Sequence, residues 1–173
     1  MRYKHFYGPA FTSLREKEDE ALRLWSSTLR RGLSALQYKR YTAAEIYLGA
    51  AYEIGILRLD CLNNTIFDAT HVVQPAVHLT NSFLAQGNIA SAHSFFNETQ
   101  HLLQTKTVSM SPLHERVLQE ITQALQQAQR GQDFSQPLDK EISDLSTAKP
   151  AESRRPRRHV QGKTVLSAQG AAT

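Results

Sequence analysis

From about Ser13 to about Arg130 the apolar positions recur every three or four residues, and the period of two that marks a strand is absent. The pattern predicts an all-α fold of about five helices. Ser13-Leu-Arg-Glu16 has the spacing of a capping box and predicts the first helical start. Behind it Leu22, Trp25, Leu29, Leu33 and Leu36 form an amphipathic stripe. Tyr38-Lys-Arg-Tyr41 reads as a short turn. The stretch from Thr42 to about Leu62 is apolar on nearly every side, the mark of a central helix covered by several neighbours. Gly49 and Gly55 within it suggest close approach of another helix.

Asn63-Asn64-Thr65 then breaks the chain and is expected to cap a helix over about Ile66 to Gln86, with a kink or restart at Pro75 because proline lacks the backbone donor. Gly87-Asn88 predicts a tight turn, with Asn88 as N-cap of a helix over about Ile89 to Gln104. Ser111-Pro112 reads as N-cap plus first helical residue of a last helix ending near Arg130. That helix has a dry side of Leu113, Val117, Leu118, Ile121, Leu125 and Ala128, and a wet side of Gln119, Gln123, Gln126, Gln127 and Gln129. One dry face fits an end-capping helix over an exposed core, or a short two-helix coiled-coil dimer. The organisation is thus an N-terminal arm (1–12), a helical domain (13–131), a linker with a possible short helix over Leu138 to Leu145 (132–145), and a disordered basic tail (146–173). The aromatic arm, with Tyr3, Phe6, Tyr7 and Phe11, reads as packing over an end of the bundle, or as a docking segment.

Composition narrows the class. The chain has 173 residues, of which 40% are hydrophobic and 21% charged, enough to bury a core. Its single Cys61 excludes an internal disulfide framework and a cysteine-based zinc module. No apolar run approaches the ~20 residues of a membrane span, and no apolar signal region opens the chain. The expectation is a soluble, cytoplasmic protein. The net charge of +4 is local. The tail carries six basic residues against Glu152, a net +5, so the rest of the chain sums to −1. Electrostatic attraction to an anion is therefore assigned to the tail, around Arg154, Arg155, Arg157 and Arg158. No aromatic residue interrupts that cluster, which argues against base reading.

The chemistry-bearing residues form no catalytic set. His71 and His78 share a face of one helix, and His93 and His101 lie on its neighbour, so a four-histidine metal site between helices is conceivable. Partly exposed polar positions on amphipathic helices explain the same residues. His114-Glu115 lacks the second histidine of a zinc protease helix, and Gly162-Lys163-Thr164 lacks the upstream glycine and strand of a phosphate loop. Cys61 reads as a packed thiol. Asn63-Asn64-Thr65 and Asn97-Glu98-Thr99 match the glycosylation sequon but read as caps and helix surface. No cofactor is expected.

Sliding the chain on itself by 48 residues superposes Gly32 on Thr80, Ala35 on Phe83, Tyr41 on Ile89, Ala44 on Ala92, Leu48 on Phe96 and Ala51 on Thr99. Each helix pair then has a bulky residue just after its turn, a small one three later and a large apolar one four after that. A small residue lets two helices cross closely while the large ones fill the gap to the next pair. This spacing resembles the tetratricopeptide repeat. The first unit is carried by Gly32, Tyr41, Ala44, Leu48 and Ala51, and the second by Leu79, Phe83, Gly87, Asn88, Ile89, Ala92 and Phe96. It departs from that family where the early tryptophan position holds Thr28 or Ala76 and the closing proline position holds Ile56 or Gln104. Its period is also longer than the family's 34 or so. The resemblance implies stacked helical hairpins and a non-catalytic adaptor or chaperone-like module that binds a peptide or helix of a partner protein. It maps the groove to Leu33 and Gln37, then Gln74, Val77 and Asn81. The alternative is a nucleic-acid-associated regulatory protein that uses the basic tail.

Overall fold

The computed structural model describes residues 9–61, 64–106 and 109–131, with side chains from Ser13 onward. They form six helices: α1 (Pro9–Glu16), α2 (Glu18–Gln37), α3 (Tyr41–Leu59), α4 (Thr70–Ala85), α5 (Ile89–Thr105) and α6 (Pro112–Gln129). The fold is all-α, and no strand occurs among the described residues. Of the expected segments, the arm (1–12) lies outside them except for its last residues, which belong to α1. The linker and the basic tail lie outside them entirely, as do Arg154, Arg155, Arg157 and Arg158.

Each helix packs against the next one in the chain, and α2 against α4 and α4 against α6. Gly32 of α2 abuts Leu48 of α3, and Gly55 of α3 abuts His71 of α4, so sequential neighbours run antiparallel. Thr70 at the start of α4 bonds His114 at the start of α6, which makes those two parallel. The result is a stack of antiparallel hairpins around α3 and α4. α3 buries Ala44, Leu48, Ala51, Ile54 and Leu57 around most of its circumference, as its apolar composition demands, and leaves Ile46 open to solvent.

The 48-residue register is visible in the backbone. α2 ends at Gln37 and α4 at Ala85; α3 begins at Tyr41 and α5 at Ile89. Both intervening turns close in the same way. The amides of Tyr38, Lys39 and Arg40 donate to Ser34, Leu36 and Ala35, and those of Gln86, Gly87 and Asn88 donate to Ser82, Leu84 and Phe83. Each turn passes through the left-handed region at its middle residue, Lys39 at φ 54° and Gly87 at φ 72°. Paired core positions are buried alike: Ala44 with Ala92, Leu48 with Phe96, Ala51 with Thr99.

Several local expectations hold. Asn88 caps α5 by accepting from the Ser91 amide, and Ser111 caps α6 with Pro112 at its first position. The α6 glutamines are exposed while Val117, Leu118, Ile121 and Leu125 are buried. Others are corrected. Ser13 is no cap: the helix starts at Pro9, the Lys17 amide bonds the Ser13 carbonyl at 2.9 Å, and the Ser13 hydroxyl reaches Glu20. The chain bends instead at Lys17 (φ −108°, ψ 92°), just ahead of three acids, Glu18 to Glu20, that favour a helix N-terminus.

The helix expected from Ile66 begins at Thr70. Glu18 accepts from Thr65 N (2.9 Å), Thr65 Oγ1 (2.7 Å) and Ile66 N (3.0 Å), and Asn64 closes on Phe67 in both directions, so the segment's donors are met without a helix. Burial pushes the Glu18 carboxyl up, but these bonds and that from Arg58 outweigh it and hold its pKa at about 2. Arg58, 1% exposed, completes the corner with an ion pair to Glu18 at 3.1 Å and a bond to the Arg15 carbonyl at 2.5 Å. α4 then runs through Pro75 without a restart.

Candidate functional site

The residues assigned to a groove from the repeat resemblance fall in unlike places. Val77 is 0% exposed and Gln74 4%, so both belong to the interior. α4 is enclosed by α3, α5, α6 and α2, and the face left open in an isolated hairpin is closed here. Their assignment to an open groove is thereby corrected. Leu33 is half-buried against the core, Gln37 is exposed, and Asn81 is half-buried with its Oδ1 lacking a hydrogen-bond partner.

The histidines are dispersed. His71 lies between Trp25 and Phe67, with ring centroids 4.6 Å from each, and its Nδ1 is 3.0 Å from Asp68. Burial pushes His78 down to about 4. His93 Nε2 is 3.3 Å from the Leu125 carbonyl, and His101 is exposed. Among the described residues no three of His, Cys, Asp and Glu converge on a metal position. Cys61 is half-buried and donates to the Leu57 carbonyl.

A different place gathers chemistry. At the α2–α3 turn a solvent-open groove of about 730 Å³ is lined by Arg30, Arg31, Ser34, Ala35, Tyr38, Arg40, Ala43 and Tyr47. Helical spacing explains the assembly. Arg31, Ser34 and Tyr38 lie three and four residues apart and share one side of the end of α2, while Ala43 and Tyr47 share one side of the start of α3. The small Ala35 and Ala43 leave the space between them. The left-handed Lys39 reverses the chain so that the two sides face each other.

The arginines lie over rings: Arg31 is 5.9 Å from the Tyr47 centroid and Arg40 is 5.9 Å from that of Tyr38. Among the described residues none of Arg30, Arg31 and Arg40 pairs with a carboxylate. The neighbouring Glu45 is engaged instead by the Gln86 side chain. The groove thus presents three guanidinium forks, a hydroxyl and two rings, a set suited to holding an anion and its apolar surroundings. Charge counting along the sequence misses it, because the −1 sum over the folded part averages these cations against acids elsewhere. The visible signal was Arg30-Arg31 and Lys39-Arg40 interleaved with Tyr38, Tyr41 and Tyr47.

No family model, no curated protein and no solved structure matches the chain. Among the described residues no helix is long and apolar enough to cross a membrane.

Proposed function

We propose that the chain is a non-catalytic, cytoplasmic protein–protein interaction module, adaptor or chaperone-like, whose stacked hairpins are related to the tetratricopeptide arrangement. The observation that carries the reading is the open arginine–tyrosine groove at the α2–α3 turn. Its arginines pair with no carboxylate among the described residues, while the ionic contacts of the Glu18–Arg58 corner are spent inside the fold. The repeated turn geometry at Lys39 and Gly87 supports the repeat relationship. Tyrosine and arginine are also the residue types that anchor protein interfaces.

The test is affinity capture from nuclease-treated native extract by the full chain and by its Arg31→Glu/Arg40→Glu variant. The same set of proteins should be retained by the first and lost by the second. Retention of no protein by the unaltered chain would remove the reading.

A second reading, a nucleic-acid-associated regulator, is favoured by Arg154, Arg155, Arg157 and Arg158 in the sequence. It requires a catch that disappears with nuclease and with removal of the residues after Leu145, and that weakens steeply as salt rises.

A further inference from the structure

The groove has an apolar neighbour. Tyr38 and Ile46 are the large hydrophobic side chains most open to solvent among the described residues, at 68% and 52% exposure. Both lie at this end of the molecule. Ile46 follows Ala43 by three residues, so it adjoins the α3 side of the groove. The surface therefore combines three cations with an exposed aliphatic and two rings.

Two classes of anionic ligand meet such a surface differently. A phosphodiester strand needs a basic track along its length, with rings for its bases. Here the cations are confined to one end of the α2–α3 hairpin rather than spread along a track, and an exposed Ile46 adds nothing to a sugar–phosphate chain. An acidic peptide needs a few forks for its carboxylates and an apolar contact beside them. Arginine binds carboxylate bidentately, which fixes orientation as well as charge. The like charges of Arg30, Arg31 and Arg40 repel one another while the groove is empty, and carboxylates relieve that repulsion.

We propose that the α2–α3 groove holds a short acidic stretch of a partner protein, its carboxylates on Arg30, Arg31 and Arg40 and an apolar side chain against Ala43 and Ile46. The inference rests on the interaction-module reading and names the chemistry of the partner.

Fluorescence anisotropy of the full chain tests it, with three labelled probes. These are a short Asp/Glu peptide containing one Leu, the same peptide with Asn/Gln in place of the acids, and single-stranded oligothymidylate. The acidic peptide should bind saturably and the amide peptide should not. Arg31→Glu/Arg40→Glu should weaken binding about tenfold or more by placing like charges opposite each other. Ile46→Ser should weaken it about threefold through lost apolar contact, with circular dichroism unchanged, since these side chains bear on solvent. If the double variant loses its helicity, Ile46→Ser and Arg30→Ala decide. Equal binding of the acidic and amide peptides, or acidic-peptide binding that all the folded variants retain, overturns the proposal. So does tighter, arginine-dependent binding of the oligonucleotide, which assigns the groove to nucleic acid. Proteins still captured from extract by the folded double variant would overturn this groove while leaving the module reading in place.

Discussion

The indole N–H of Trp25 donates to the main-chain carbonyl of His71 across 2.9 Å, filling a position that α4 itself leaves empty. In an uninterrupted helix the His71 carbonyl accepts from the residue four positions on, which here is Pro75 and has no N–H. A proline inside a buried helix thus leaves an orphan acceptor, and a side chain from the preceding hairpin satisfies it. Trp25 is 8% exposed, so the bond is shielded from water that would otherwise replace it.

Removing either half of that arrangement has a defined outcome. Trp25→Phe keeps the ring but strands the carbonyl, and is expected to cost about 1–3 kcal/mol, the penalty for an unsatisfied buried acceptor. Pro75→Ala returns a helical N–H to the same oxygen. Trp25→Phe should therefore cost less in the Pro75→Ala background than in the natural chain. Urea unfolding of the four proteins measures the coupling, and additive effects would show that the indole bond does not compensate for the proline.

The same carbonyl sets the distance between α3 and α4. A Cβ built on Gly55 runs into the His71 oxygen and carbon and lies 3.1 Å from Val72 Cγ2. On Gly32 it would meet the Leu48 side chain at 2.6 Å, with the Leu48 backbone nitrogen further off at 3.2 Å. A side chain can turn aside, whereas a backbone carbonyl already bonded to Trp25 cannot. Gly55→Ala is expected to destabilise by about 3 kcal/mol and Gly32→Ala by about 1–2 kcal/mol, the range for overpacked cores. Thermal or urea unfolding ranks the two, and an equal cost would indicate that α4 shifts as a unit.

The two equivalent turns make a matched experiment. Lys39 sits at φ 54° and Gly87 at φ 72°, and a Cβ at Gly87 would have open space around it. Any change there reports backbone conformation alone. A non-glycine residue in the left-handed region costs about 1 kcal/mol. Lys39→Gly should therefore stabilise the chain by up to that amount, and Gly87→Ala should destabilise it by a similar one. Opposite shifts in the urea midpoint are the expected result.

These relationships mark where sequence reading succeeds and where it stops. Asn88 and Ser111-Pro112 are legible because each cap acts on residues three positions away. The 48-residue register is legible because the hairpins repeat a packing pattern. Ser13-Leu-Arg-Glu16 has the same local signature as a cap and is not one, since the helix begins four residues earlier at Pro9. The loss of helix over 64–69 depends on Glu18, nearly fifty residues upstream, which no local window contains. The burial of Gln74 and Val77 likewise follows from the helices around α4 rather than from its own pattern. The arginine–tyrosine groove exists only once Lys39 has folded α3 back on α2.

Acid should act first through two histidines, the buried His114 and the half-buried His78. The Ser111 amide donates to His114 Nδ1 at 3.1 Å, so the proton of the neutral ring is on Nε2, which donates to Thr70 Oγ1 at 3.0 Å. Burial pushes the His114 pKa down, against the charge of Asp68, which pulls it up. Burial alone pushes His78 from 6.5 to about 4. Both rings are held neutral in the fold and are protonated more readily in the unfolded chain. The stability tied to them is complete above about pH 6.5, the ordinary histidine value. It is lost as pH falls toward the folded values. The carboxyls of Glu18 and Asp68, both held at about 2, lose theirs only in stronger acid, below about pH 4.5 for Glu18 and pH 3.8 for Asp68. His114→Gln keeps an acceptor for the Ser111 amide, as glutamine does in a capping box, but takes no proton. Its unfolding free energy should fall less than that of the natural chain just below pH 6.5, while the loss due to His78 continues toward pH 4 in both. Urea unfolding at stepped pH measures this. Identical profiles for the two proteins would show that the Ser111–His114 box does not sense protonation.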